Sequence, residues 1–293
     1  AARIVGGICA GVMWPMIAAY GIRLAPEDMH GKAITVIMSG NTLGISIGLP
    51  AMTAIGLTFG WRSVFLVLGV LVVVIAVLSY FYLPAVEGEK LSKGNSPLAV
   101  LKMPSILIVL LLTFLSVAAF YGVYTYITLL VELIGFRGGI GLALLLFGIG
   151  SVISVVLSAK YIDAYLRPLI VASLAVGAIS MVMLLAFKGT IVISHVAFFL
   201  WGLAFGPLVT MYQAAVSKQV ENAKDVATSV QSSVFNFSIM IAAWVGGMLL
   251  NASPTNGVKH IVYLSLAGFA LAIVVALLAK QTLRSSPGSP TST

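Results

Sequence analysis

Charge is scarce in this sequence: Asp, Glu, Lys and Arg make up only 8% of its 293 residues, against about a quarter in soluble domains, which excludes an ordinary water-soluble fold. Cysteine is present once, as Cys9, so no internal disulfide can form and the redox compartment stays open. In its apolar run Cys9 reads as a small buried residue. The three histidines, His30, His195 and His260, are dispersed. With the scattered acids they give no metal-ligand spacing and no nucleophile and base pairing, so no metal site, no cofactor and no enzyme activity is expected. Cations outnumber acids by 16 to 8, yet they form no basic helix and no run interleaved with aromatics, which argues against a nucleic-acid partner.

What the chain has instead is hydrocarbon. Apolar residues reach 60% and the mean hydropathy is +1.13, so the solvent for most of the chain is a lipid bilayer. A helix needs about 20 residues to cross the hydrocarbon core. Apolar windows of that size fall at 4–24, 33–56, 63–83, 104–131, 140–159, 168–187, 190–216, 227–250 and 260–280, which predicts an all-α integral membrane protein of nine transmembrane helices. Proline, glycine and charge punctuate the gaps, as at Pro26, Gly60, Pro84, Gly138 and Pro254.

Lys and Arg alternate rich and poor from loop to loop: Arg23 and Lys32 precede Arg62; Lys90, Lys93 and Lys102 precede Arg137; Lys160 and Arg167 precede Lys188; Lys218 and Lys224 precede Lys259; Lys280 and Arg284 follow. The positive-inside rule then places the C-terminus in the cytoplasm, and nine spans put Ala1 on the outer side. The longest polar segment, 84–103, divides three spans (1–83) from six (104–283), and the tail 284–293 reads as disordered cytoplasmic sequence. The start lacks an initiator Met and any leader pattern, and reads as cut.

Unequal parts are explained by an internal repeat. A shift of 195 positions lays Gly7 on Gly202, Gly11 on Gly206 and Asn41 on Asn236, so spans one and two correspond to spans seven and eight. Parallel six-span halves follow, the first lacking three spans. Spans two and eight are speckled with Ser, Thr, Asn and Gln, whereas spans three, six and nine are apolar nearly all round and read as lipid-facing supports.

Particular residues carry a family resemblance. The stretch ARIVGGICAGVMWPMIAAYGIRLAPEDMHGKAI, with Arg3, Gly7, Gly11, Pro15, Pro26, Gly31 and Ala33 in place, resembles the fourth span and following loop of the major facilitator superfamily. SGNTLGISIGLPAMTAIG followed by GWRSVF resembles the fifth-span motif of its drug:proton antiporters, nearest to the sugar-efflux and arabinose-efflux permeases. YGVYTYI, LLLFGIGSVIS and WGLAFGP extend the likeness, while SAKYIDAYLRP departs from the family loop by having Ala159 and Leu166 where glycines are usual. The resemblance implies an incomplete facilitator fold, three plus six spans of a six-plus-six bundle, working as a monomer in a bacterial inner membrane.

Candidate site residues divide into two sets. Gly40, Gly44 and Gly48 recur every fourth residue, so one helix face admits a neighbouring backbone, and Pro50 interrupts the ladder beyond them; in the family this motif closes the external side. Arg3, in line with Gly7 and Gly11, either snorkels or joins the polar network that the resemblance links to coupling. Asp163 and Arg167, four residues apart, have the spacing of an ion pair. For solute contacts, uncharged amides, phenols and their neighbours qualify: Met38, Asn41, Tyr121, Tyr124, Gln231, Phe235 and Asn236, against the plainer reading of helix-to-helix hydrogen bonds.

None of the eight acids lies near the middle of a span. A proton carrier is therefore not visible, and His195, the one histidine inside a span, is expected to make a local hydrogen bond. The resemblance implies a carrier that exports a small solute, a sugar or a drug-like molecule, in exchange for protons by alternating access. Nutrient uptake by the same fold, and a fragment that transports nothing, stand as alternatives.

Overall fold

The computed structural model describes residues 43–85, 96–187, 189–220, 224–280 and 282–283, with isolated positions 5–7, 9, 13, 16, 17, 20, 24, 37, 39 and 40. Every regular element among them is helical. A π-helical turn, Gly44–Gly48, leads into α1 (Leu49–Phe59) and α2 (Trp61–Tyr82); α3 (Pro97–Leu101) is a short connector. Then come α4 (Pro104–Tyr124), α5 (Ile127–Leu133), α6 (Gly139–Ala186), α7 (Ile191–Phe205), α8 (Leu208–Ser217), α9 (Lys224–Ala252) and α10 (Gly257–Leu278).

Local chemistry sets these boundaries. Gly60, at φ +86°, makes the reversal between α1 and α2 that a side chain would resist. Pro97 opens α3 while the Ser96 hydroxyl accepts from the Ala99 N–H, the expected N-cap. The 48 residues of α6 are two antiparallel spans joined through a bend at Tyr165 (φ −130°, ψ 35°). Their antiparallel return is fixed where the Gly189 N–H donates to the Ile134 carbonyl at 3.1 Å.

Among the described residues seven helices are long and apolar enough to cross a membrane: Trp61–Tyr82, Pro104–Tyr124, Gly139–Ser158, Ala164–Ala186, Ile191–Ser217, Val226–Ala252 and Gly257–Leu278. These meet the third to ninth windows expected from the sequence. The first two windows lie largely outside the described residues, with Leu49–Phe59 as the described end of the second. The chain is a multi-pass membrane protein.

Its core lies between α4 and α10. Backbones approach where side chains are small: a Cβ on Gly202 of α7 would overlap the Phe147 carbonyl of α6, one on Gly206 would overlap Ser151 and Ser154, and one on Gly150 would overlap Phe199. On the other flank Ser265 of α10 donates to the Ala119 carbonyl of α4 at 2.6 Å, with Gly268 beside it. Small residues and interhelical hydrogen bonds of this kind hold membrane helices together, because lipid already satisfies apolar surface.

Three differences from the sequence reading concern exposure and register. Spans three, six and nine were expected to be the lipid-facing ones; span three, Trp61–Tyr82, indeed buries none of its residues, but span eight, Val226–Ala252, is less buried than spans six and nine, and one side of it presents Phe237, Met240, Trp244 and Met248 outward. Cys9 is exposed rather than buried, since a thiol tolerates hydrocarbon as well as a protein core. The four-residue glycine line is interrupted, because Gly44–Gly48 forms a wide turn closed by the Leu49 N–H on the Gly44 carbonyl. Pro50 cannot donate one turn back, and the π-turn accommodates that defect.

Candidate functional site

Two helix breaks interrupt the bundle. The first separates α4 from α5 at Thr125 and Tyr126, where Tyr126 leaves helical geometry (φ −111°, ψ 25°). The second separates α7 from α8 at Gly206 and Pro207, because Pro207 lacks an N–H and its ring displaces the preceding turn. Both fall inside motifs noted in the sequence, YGVYTYI and WGLAFGP.

Beside these breaks lies a closely packed aromatic chamber, its rings filling the space between α4, α6 and α7. Phe120 and Phe205 stack with centroids 3.6 Å apart and planes 13° apart, and Tyr124 stacks on Phe120 at 5.2 Å. Phe147 meets Trp201 edge-on at 5.6 Å, and Trp201 lies 6.0 Å from Tyr124. Tyr121 closes the side toward α9 by an edge contact with Phe235 at 5.9 Å. Edge-to-face and offset pairs are the favoured arrangements of ring quadrupoles and fix the ring orientations.

The chamber holds polar atoms without protein partners. Tyr124 Oη and Trp201 Nε1 are buried and hydrogen-bond to nothing in the protein, and the same is true of Tyr212 Oη on α8 and of both amide atoms of Gln231 on α9. An unsatisfied buried polar atom costs about 1–3 kcal/mol, so each of these groups needs a partner from outside the protein, such as water or a ligand. Among the described residues the fully buried polar side chains are uncharged, and none forms a group of three His, Cys, Asp or Glu able to hold a metal.

The nominated solute contacts separate into those brought together and those kept apart. Tyr121, Tyr124 and Phe235 meet in the chamber, and Gln231 is fully buried on the face of α9 that carries Ala227 and Ser238. Asn236 is exposed and its amide donates to the Ser232 carbonyl of its own helix at 2.9 Å, which leaves it outside the chamber. Met38 and Asn41 lie outside the described residues. Phe120, Phe147, Trp201, Phe205 and Tyr212 were missed by the sequence reading; the four-residue spacing of Trp201 and Phe205 within WGLAFGP was the available signal.

The gating candidates show a different pattern. Arg3 and Gly11 lie outside the described residues. Gly7 is helical and exposed, and a Cβ there, or on Gly40, Gly44 or Gly48, would meet nothing within 4 Å. The π-turn nevertheless approaches α6, as does α1 with its Pro50. Arg167 Nε and Nη2 donate to the Ala276 and Leu277 carbonyls at 3.1 and 2.7 Å, so the guanidinium caps the end of α10; the side chain of Asp163 is not among those described. Gln219 Nε2 donates to the Thr282 carbonyl at 2.8 Å, gathering three of the cation-rich loops at one end of the bundle. His195 makes the local bond expected of it, Nδ1–H to the Ile191 carbonyl at 2.6 Å, with its ring stacked on Phe136 at 4.5 Å.

A separate cavity of about 330 Å³ lies between α4, α9 and α10, lined by Ala118, Gly122, Gly246, Leu264 and Gly268 among others. Its walls are hydrocarbon, and the Ser265 hydroxyl at its edge is already committed to Ala119. This cavity fits apolar matter and lacks the free hydrogen-bonding groups of the aromatic chamber.

The family model described as Major Facilitator Superfamily matches residues 1–243 and again 139–293. A protein of Mannheimia succiniciproducens named as a probable sugar efflux transporter is 27% identical over 242 residues, covering 82% of this chain and 61% of the relative. The chain thus spans about three fifths of the length of that curated relative.

Proposed function

This chain belongs to the major facilitator superfamily, a family of membrane transporters rather than enzymes, and we propose that it contributes the solute-binding C-terminal bundle of a carrier exporting a small uncharged solute, a sugar or sugar-like molecule, by alternating access. The observation that carries this reading is the packed aromatic chamber beside two helix breaks, with Tyr124 Oη and Trp201 Nε1 buried and unpartnered. Flat rings offer stacking to the apolar face of a sugar, and the phenol and indole offer the hydrogen bonds its hydroxyls need. Discontinuous helices at the repeat interface are where carriers of this architecture build their sites.

Charge supports the uncharged class. Among the described residues the buried polar groups of the chamber carry no charge, so a charged solute there would be desolvated without a partner, at a cost of several kcal/mol. Exchange for protons is proposed from the fifth-span motif and the naming of the relative as an efflux transporter. In that reading Arg3, Gly7, Gly11, Gly40, Gly44, Gly48 and Pro50 serve coupling and closure, Asp163 and Arg167 serve the cytoplasmic gate, and Met38, Asn41 and Asn236 line the path. The cation-rich end, with Arg167 and Thr282, faces the cytoplasm by the positive-inside rule.

Efflux of labelled arabinose, lactose and a cationic dye from proton-gradient-energised vesicles tests this. It should be run on this chain and on the same chain preceded by three further spans. Gradient-driven efflux of a sugar, lost in Trp201→Ala, is expected. Efflux confined to the cationic dye, or indifferent to Trp201, would overturn the reading.

A further inference from the structure

The apolar cavity between α4, α9 and α10 arises because these three helices are tied at separate levels. At one end Tyr126 donates to the Ala243 carbonyl at 2.6 Å and lays its ring against Gly246 of α9. At the other, Phe114 of α4 and Phe237 of α9 meet with ring centroids 6.4 Å apart. Helix α10 touches α4 through Ser265 and Gly268, and reaches α9 where Gly257 lies against Leu249 and Leu250. Between those ties the facing residues are too short to meet: a Cβ on Gly122 would find only a methyl of Ile261, at 4.0 Å. The space left is about 330 Å³, roughly twice the ~150 Å³ apolar void that holds a benzene.

Chemistry, shape and opening together select what fills it. The lining carries no charged residue, and its single hydroxyl, Ser265, is spent on the Ala119 carbonyl. Water needs two to four polar partners, so neither water nor a hydroxylated solute is at home there. The lining stretches, 114–122, 241–249 and 261–271, lie within three spans, so the slot extends about 12–15 Å along helices that cross the bilayer. Leu264, Ala267 and Leu271, three and four residues apart on α10, line the cavity and are exposed. It therefore opens sideways, at hydrocarbon depth, where the surrounding medium is lipid chain.

We propose that this cavity is a lipid site, which takes one acyl chain of a bilayer lipid entering past Leu264, Ala267 and Leu271 and lying along the helices. An acyl chain brings no hydrogen-bonding group into a wall that has none to offer. It also restores the dispersion contacts that the lining forfeits when the space is empty. The chain packs between α4 and α9 where the two stand apart, and so braces α4, the helix that carries Tyr121 and Tyr124. This assignment is independent of the transport reading, because it concerns the solute-free protein.

Photolabelling tests it, with the intact chain in nanodiscs of phosphatidylcholine bearing a diazirine at mid-chain and adducts located by peptide mass spectrometry. Leu107 and Leu111, exposed on α4, report ordinary contact with the bilayer, and the fully buried Phe198 reports background. Adducts at Ala118, Ala119 and Gly122 comparable in yield with those at Leu107 are expected, although Ala119 is buried. A cavity wall labelled no more than Phe198 would overturn the proposal, whether Leu264 and Leu271 are labelled, leaving the slot unfilled, or unlabelled, leaving the mouth covered by protein. Ala118→Leu places a side chain in the slot and should lower adducts at Ala119 and Gly122 several-fold with Leu107 unchanged. Ala267→Leu, on the exposed side of α10, repeats that measurement without touching the core. Wall labelling that survives both substitutions would show that the label arrives by another route, and the assignment would fall.

Discussion

Helices α2 and α4 are alike in length and apolarity, yet α2 buries none of its residues while just over half of α4 is enclosed. Their sequences show why. In α2 (WRSVFLVLGVLVVVIAVLSYFY) the surface is mostly branched aliphatic, and a Cβ on Gly69 would meet nothing. In α4, Thr113, Ser116, Ala119 and Gly122 lie on the buried face and let α9 and α10 come close. Hydropathy decides that a helix crosses the bilayer; placement of small and hydrogen-bonding residues decides what it crosses beside. The same contrast runs through the repeat, since Gly7 faces open space where its counterpart Gly202 is pressed against α6.

That contrast predicts a ranked series of effects. The largest is at the repeat pair: Gly202→Leu should cost about 3 kcal/mol or prevent folding, because its Cβ meets the Phe147 backbone, whereas Gly7→Leu should stay within about 0.5 kcal/mol. Thermal unfolding followed by tryptophan fluorescence reads both, and equal losses would show that Gly7 is packed in the working protein. Next, Leu112→Ala in α4, where the side chain is fully buried, should cost about 2 kcal/mol, against almost nothing for the exposed Leu71→Ala in α2.

Smaller effects sharpen the account of how the bundle is tied. Tyr126→Phe loses the 2.6 Å bond to Ala243 while keeping the ring on Gly246, and should cost about 0.6–1.7 kcal/mol. Trp201→Phe loses the indole N–H and part of a fully buried side chain; one lost hydrogen bond of about 1 kcal/mol raises the solute KM several-fold, and the void left behind costs about 1–2 kcal/mol of stability. The smallest effect is expected for Arg167→Ala, which frees the end of α10; faster amide exchange near residues 278–283, partly restored by Arg167→Lys, is the readout. No change in exchange would remove the capping role.

Much of the architecture was legible because it depends on local chemistry. Seven spans appear within a few residues of the apolar windows, and both helix breaks fall in motifs marked by Pro207 and by the aromatic run at Tyr121 to Tyr126. Partnership was less legible. Asn236 and Gln231 look equivalent as amides on one helix, five residues apart, but five residues turn a helix by well over one full circuit, so one faces out and bonds its own backbone while the other is sealed inside. For Arg167 the sequence offers only a near neighbour, Asp163, at ion-pair spacing; the bonds of its guanidinium to carbonyls more than a hundred residues away carry no such local signal.

By itself, then, the sequence determined the solvent, the number and length of the described spans, the loops that share an end and the family, because hydropathy, helix length and loop charge act residue by residue. Only the tertiary structure decided which rings meet, which glycines are pressed and which polar atoms are left without partners. Those outcomes depend on the rotation and register of helices far apart in the chain, set by the backbone contact at Gly202, the Tyr126 bond to Ala243 and the bend at Pro207.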